Sequence, residues 1–391
     1  MRHSPKHHPF KSIALLAALV AATPFLGAAP LQASPAAAPA VSTAEALTPA
    51  QHLAQMTLGQ RVGQLFMVAA GATGVSQATF NVLSWDHVGN VYRAGRSSAG
   101  INATAAVVAA VTRTVSAAST DNEYLLVATD QEGGYVQVLS GQGFSAIPTG
   151  LAQGTLPSAT LKADAQVWGN QLRWAGIKAD LAPVLDTVTQ AFAPYNAPIG
   201  YYEREYGYTP AAVSVAGNAF LAGMKAGYVA PVAKHFPGLG RVTGNTDVTA
   251  NVHDTQTTIN DANLLPYKTA IADGARYVMV SSAYYDKIDS RSGKIAPFST
   301  VVMKTMLRTQ LGFTGVIVSD DLCSAAQLSP WSWAVRAENF FNAGGTMLLC
   351  ANPSAIPYMY NAVVALAQSN PSFAAAINAA ALKVLTVKAG Q

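Results

Sequence analysis

Short apolar runs recur along this chain and alternate with longer Ala-rich segments. Eight of them have strand length and composition: Gln64–Val68, Val88–Tyr92, Tyr124–Thr129, Ile177–Leu181, Val229–Lys234, Tyr277–Ser281, Val316–Ser319 and Thr346–Leu349. Segments of helical character lie between them, among them Ala103–Ala118, Ala211–Lys225, Asp261–Ala272 and Val301–Leu311. Gly176, Gly227, Gly274, Gly312 and Gly315 stand just before strands, where glycine relieves the left-handed cap of a helix end. Strand, helix and glycine repeated eight times predict an α/β fold, a single (β/α)8 TIM-type barrel. An open doubly wound sheet fits less well. The Ala-Ala-Gly-Ala-Thr-Gly stretch from Ala69 lacks the dinucleotide spacing and its acidic partner.

The N-terminus follows a different pattern. Arg2, Lys6 and Lys11 precede a nearly continuous apolar run from Ser12 to Ala29, and small residues follow. This predicts a cleaved export signal over 1–33, and hence a secreted, extracellular or cell-wall-associated protein. Residues 34–46 are Ala/Pro-rich and read as a linker, leaving 47–391 as the barrel domain. No later stretch is expected to reach the length of a membrane span.

Charge narrows the partners. The formal charge is +4, but removing Arg2, Lys6 and Lys11 leaves 21 basic against 20 acidic side chains. No basic patch points to nucleic acid. Charged residues make up only 11% of the chain, which favours an uncharged or weakly charged ligand. Two cysteines exist, Cys323 and Cys350, just beyond the seventh and eighth strands. Those strands are neighbours in a closed barrel, so an exported protein is expected to pair them as a disulfide.

In a barrel, catalytic groups collect at the C-terminal strand ends. Here those ends carry Asp130-Gln-Glu-Gly-Gly134, Asp186, Lys234-His235, Ser281-Ser282 and Ser319-Asp320-Asp321. Asp320 sits on a rigid strand end and is the candidate nucleophile for a glycosyl-enzyme intermediate. Asp321 reads as a helix cap. Asp130, Arg204, Lys234 and His235 are candidates for holding sugar hydroxyls, with the Glu-Gly-Gly turn allowing close backbone approach. Asp130, Asp186, His235 and Asp320 lack the local spacing of metal ligands, so neither metal nor cofactor is expected.

Six segments together resemble family 3 glycoside hydrolases, in particular the single-domain β-N-acetylglucosaminidase branch. They are Met56–Phe66, Asp130–Gly134, Ala182–Asp186, Ile199–Gly207, Lys234-His-Phe-Pro-Gly238 and Gly315–Asp320. The resemblance implies a (β/α)8 barrel acting on terminal β-N-acetylglucosaminides, including peptidoglycan fragments. It implies Asp320 as nucleophile and Asp130, Arg204, Lys234 and His235 as sugar-binding residues. The chain departs from the branch at Tyr135, Leu239 and Thr346, and above all in the loop after Gly240. There Asp247 matches the Asp of an Asp-x-His acid/base pair, while Thr249 stands where the His is expected. Three outcomes stay open: His253 swings in, Asp247 itself gives the proton, or the protein binds wall sugars without cutting them efficiently.

Overall fold

A computed structural model of the protein describes residues 47–391, so the expected signal and the linker over 34–46 lie outside the described residues. Eight parallel strands form the barrel: β1 Phe66–Gly71, β2 Asn90–Ala94, β3 Leu126–Thr129, β4 Ala179–Asp180, β5 Ala230–Phe236, β6 Tyr277–Val280, β7 Val316–Ser319 and β8 Leu348–Cys350. Each pairs with its neighbours in chain order, and β1 pairs with β8. A parallel bridge between Val318 and Met347 joins β7 to β8 and closes the ring. The (β/α)8 expectation holds. Strands buried on both faces need continuous Val, Ile, Leu and Ala runs, and those runs marked them in the sequence.

Helices surround the ring. Pro210–Ala226 has Thr209 as its cap, its side chain accepting from the Ala212 N–H, and Pro210 in the first turn. The helix expected over Val301–Leu311 is wound more widely, as a π-helix over Val301–Gln310 closed by Leu311 N–H to the Met306 carbonyl at 2.9 Å. Gly227 is not the left-handed residue at its helix end; Tyr228 takes that conformation, at φ +60°.

The last helix, Pro371–Ala389, corrects one expectation. Its length and hydropathy reach those of a membrane span. One face is nonetheless spent on the core, with Phe373, Ile377, Ala381, Val384 and Leu385 buried. At its end the buried Lys388 ammonium donates to Gln64 Oε1, the Gly89 carbonyl and the Tyr124 carbonyl.

Cys323 and Cys350 are disulfide-bonded, with Cα atoms 5.0 Å apart. They tie the segment after β7 to the end of β8 across 27 residues of sequence. Removing the bond by Cys350→Ala is expected to cost about 3–4 kcal/mol. Denaturant unfolding with and without reductant checks this: reductant should lower the wild-type midpoint and leave the variant unchanged.

Candidate active site

The site grows from an irregularity in β5. In a regular strand successive side chains face opposite ways. Pairing of β5 with β6 shifts register between Ala233 and Phe236, and within that shift Lys234 and His235 both reach the cavity above the barrel. The cavity holds about 500 Å³ and is lined by Tyr92, Asp130, Arg204, Lys234, His235, Asp247, Asp320 and Asp321, among others. The structure thus gathers six of the seven expected site residues at the C-terminal end of the barrel, and leaves out His253.

Four of the lining and supporting groups form one chain of charges. Lys234 Nζ lies 2.7 Å from Asp130 Oδ1 and 2.6 Å from Glu132 Oε1. Arg204 grips Glu132 with two bonds, Nε to Oε2 at 2.9 Å and Nη2 to Oε1 at 2.8 Å. Burial alone would raise the Glu132 carboxyl, but the charges and hydrogen bonds of Arg204 and Lys234 outweigh it and hold it down at about 2. Two cations balance two carboxylates, and the accessible ends are Asp130 and Arg204. Glu132 was legible only as part of a turn motif; its partners are 72 and 102 residues away along the chain. The glycines after it serve packing rather than a ligand. Gly133 has φ +104°, and a Cβ there would run into the Pro148 carbonyl oxygen.

Lys234→Met would leave the buried Glu132 carboxylate beside the half-buried Asp130 with one cation gone. Unpairing a buried charge in this way is expected to destabilise the fold by about 3–5 kcal/mol. A urea titration checks it; an unchanged midpoint would mean that water already screens the cluster.

His235 is oriented from behind. Its Nδ1 lies 2.7 Å from Asp186 Oδ2, and Asp186 also accepts from the Leu239 N–H at 2.7 Å and from the Tyr267 hydroxyl at 3.3 Å. Asp186 is fully buried. It fixes which ring nitrogen faces the cavity, a supporting role that the strand-end pattern alone did not specify.

Asp320 follows β7, and its Oδ1 accepts from the Asp321 N–H at 2.9 Å. Asp321 holds a turn rather than the helix start expected of it: its carboxylate accepts the Cys323, Ser324 and Ala351 N–H groups, and the next helical turn, Ala326–Leu328, begins after Ala325 without a side-chain cap. Tyr92 stands among these acids. Burial first, then the charges of Asp321, Asp130, Asp320 and Asp247, push its hydroxyl far up, so it remains a neutral donor.

The loop after Gly240 brings Asp247 to the cavity and takes Thr249 away from it. The Val248 and Thr249 N–H groups both turn back onto the Asn245 carbonyl, and Thr249 is exposed and outside the cavity lining. Asn245, Thr246 and Asp247 line the cavity instead. Asp247 is exposed by surface area, yet its carboxyl sits among protein atoms at the cavity mouth. Desolvation there, reinforced by the Asp320 charge, raises it to about 6.

This loop is tied down. The Asp247 and Thr246 carbonyls accept from the Ala326 and Gln327 N–H groups at 3.0 and 3.1 Å. Gln327 Oε1 accepts from the Val252 N–H at 2.9 Å. His253 is held elsewhere: its Nδ1 meets Asp286 Oδ1 at 2.8 Å, its Nε2 meets Asn251 Oδ1 at 3.2 Å, and its ring stacks on Tyr284 with centroids 4.4 Å apart. Among the described residues no group of three His, Cys, Asp or Glu side chains is placed to hold a metal ion.

A closed (β/α)8 barrel with paired carboxylates and a buried polar clamp at its C-terminal rim defines a glycoside hydrolase. Residues 57–387 match the glycosyl hydrolase family 3 N terminal domain, and the chain belongs to that family. Among solved structures it is similar to a β-N-acetylhexosaminidase from Beutenbergia cavernae, at 50% identity and TM-score 0.84, covering 85% of this chain and 99% of that one. It is also similar to a family 3 β-N-acetylglucosaminidase from a Paenibacillus species, at 26% identity and TM-score 0.74, over 85% of this chain and 63% of that one. A β-hexosaminidase of Methylococcus capsulatus is 31% identical over 235 residues, 58% of this chain and 67% of that protein. One from Nitrosomonas eutropha is 33% identical over 236 residues, 58% of this chain and 65% of its own length.

Proposed function

We propose that this protein hydrolyses terminal β-N-acetylglucosaminides with retention at the anomeric carbon. The observation that carries the proposal is that Asp320 and Asp247 line one cavity together with the Asp130–Lys234–Arg204 clamp. Asp320 attacks the anomeric carbon and forms an ester with the sugar, while Asp247 gives its proton to the departing oxygen. The Asp247 carboxylate then takes a proton from water, which attacks the same carbon and releases the sugar. Asp130 and Arg204 hold ring hydroxyls, and His235 donates or accepts beside them. The names of the relatives support the N-acetyl sugar.

The signal-like start of the chain and the disulfide support a place outside the cytoplasm, where cell-wall glycans would be the source of substrate. The test is a comparison of aryl β-N-acetylglucosaminide, β-glucoside and β-N-acetylgalactosaminide, with proton NMR of the first-formed sugar. Preferred release of N-acetylglucosamine as its β anomer is expected. Saturable binding of that sugar without release from any substrate would replace this reading with that of a wall-sugar binding protein.

A further inference from the structure

Three tyrosines lead out of the cavity, and the proposed chemistry uses none of them. Tyr135 and Tyr202 line its mouth. Their ring centroids lie 5.9 Å apart, and Tyr202 meets Tyr201 at 5.0 Å, both edge to face. They are 58%, 41% and 64% exposed in the order Tyr135, Tyr202, Tyr201. Large aromatic rings left in water are informative when they are contiguous and adjoin a site. An isolated exposed tyrosine is ordinary; a connected row that begins inside a sugar-sized cavity is a surface.

The row is built rigidly. Tyr201 and Tyr202 end a short 3-10 turn, Gly200–Tyr202, whose N–H groups are fixed at both ends. Asn196 Oδ1 accepts from the Ile199 and Gly200 N–H groups at 3.1 and 2.8 Å, and Asn196 Nδ2 donates to the Leu239 and Val242 carbonyls. Arg204, whose other nitrogens hold Glu132, donates to the Pro198 carbonyl at 2.6 Å. Tyr135 is fixed from the other side, where Arg96 donates to its carbonyl and to that of Gln137 at 2.5 and 3.0 Å. The sugar clamp and the aromatic row therefore share anchors. Rings held this way lose little freedom when a ligand covers them.

We propose that Tyr135, Tyr202 and Tyr201 form a stacking platform for the sugars on the leaving-group side. The ligand is a β-linked N-acetylglucosamine oligosaccharide of at least three units rather than a single sugar on a small aglycone. The apolar faces of pyranose rings pack on aromatic faces, and an uncharged row suits an uncharged chain. This deepens the hydrolytic reading and rests on it for the orientation of the substrate.

The test compares kcat/KM for the β-1,4-linked trimer of N-acetylglucosamine with that for an aryl β-N-acetylglucosaminide. The trimer-to-aryl ratio is expected to fall about tenfold in Tyr201→Ala and in Tyr202→Ala, corresponding to one lost stacking contact. Tyr202→Trp should keep the ratio near wild type. An unchanged ratio in both alanine variants would overturn the platform. Calorimetric titration of Asp320→Asn with the trimer and with free N-acetylglucosamine separates the two readings. The trimer should bind about a hundredfold more tightly than the monomer, and Tyr201→Ala placed in that background should cut the difference about tenfold. Absent turnover with that advantage intact would remove hydrolysis and keep the platform. Equal affinity for trimer and monomer would remove the platform whatever the turnover.

Discussion

Asp320→Asn is expected to reduce turnover by on the order of 10⁴-fold or more, for every substrate and at every pH. The amide cannot form the ester, and nothing else at the end of β7 can take its place. The Asp321 carboxylate is engaged by three backbone N–H groups. The variant should fold, because the Asp320 side chain contributes one local hydrogen bond, to the Asp321 N–H. A 2-deoxy-2-fluoro sugar with a good leaving group should add its mass to the wild type and not to the variant, with the label on the peptide that carries Asp320. Labelling of a different peptide would move the nucleophile and break the proposed mechanism.

Asp247→Asn should divide substrates by their leaving groups. For a sugar leaving group, which departs as a poor alkoxide without a proton, the loss should be about 10²–10⁴-fold. For a nitrophenyl leaving group the first step should be far less affected. The pH profile carries the same information. In the proposed mechanism Asp247 donates its proton in the first step, so kcat/KM for a natural-type substrate should fall as pH rises through about 6, where the group loses that proton. The limb should vanish in Asp247→Asn. His253→Ala should leave both profiles as in wild type, since that ring is bonded to Asp286 and stacked on Tyr284. A lost limb in His253→Ala would reinstate the histidine as the acid.

The barrel was legible because its strands lie in short apolar runs, which burial on both faces favours, and five of the eight runs end at polar groups. The site residues on strand ends were legible for the same reason: Asp130, Lys234, His235 and Asp320 are placed by their strands. Arg204 came from its motif, not from a strand. What failed to show lies in loops and in pairings remote along the chain. Counting along the loop put Thr249 where a histidine is expected and left Asp247, His253 or neither as the acid; the turn onto the Asn245 carbonyl, which carries 248 and 249 away and leaves 247 at the cavity, is not visible in spacing. His253 looked free until Asp286, 33 residues later, took its ring nitrogen. Glu132 read as part of a glycine turn because its partners come from other segments, Lys234 from β5 and Arg204 from the loop after β4. Spacing reports position along a regular element; it does not report which distant group will meet a side chain.

The bonds from Ala326 and Gln327 to the loop of Asp247 have a mechanical consequence. The proton donor and the attacking carboxylate of the proposed mechanism belong to segments fastened to each other, and the disulfide clamps the same stretch of chain. They form one frame. With the segments joined in this way, a spent sugar is expected to leave without the opening of a flap, and the turnover rate to follow the chemistry of bond cleavage rather than the swing of a gate.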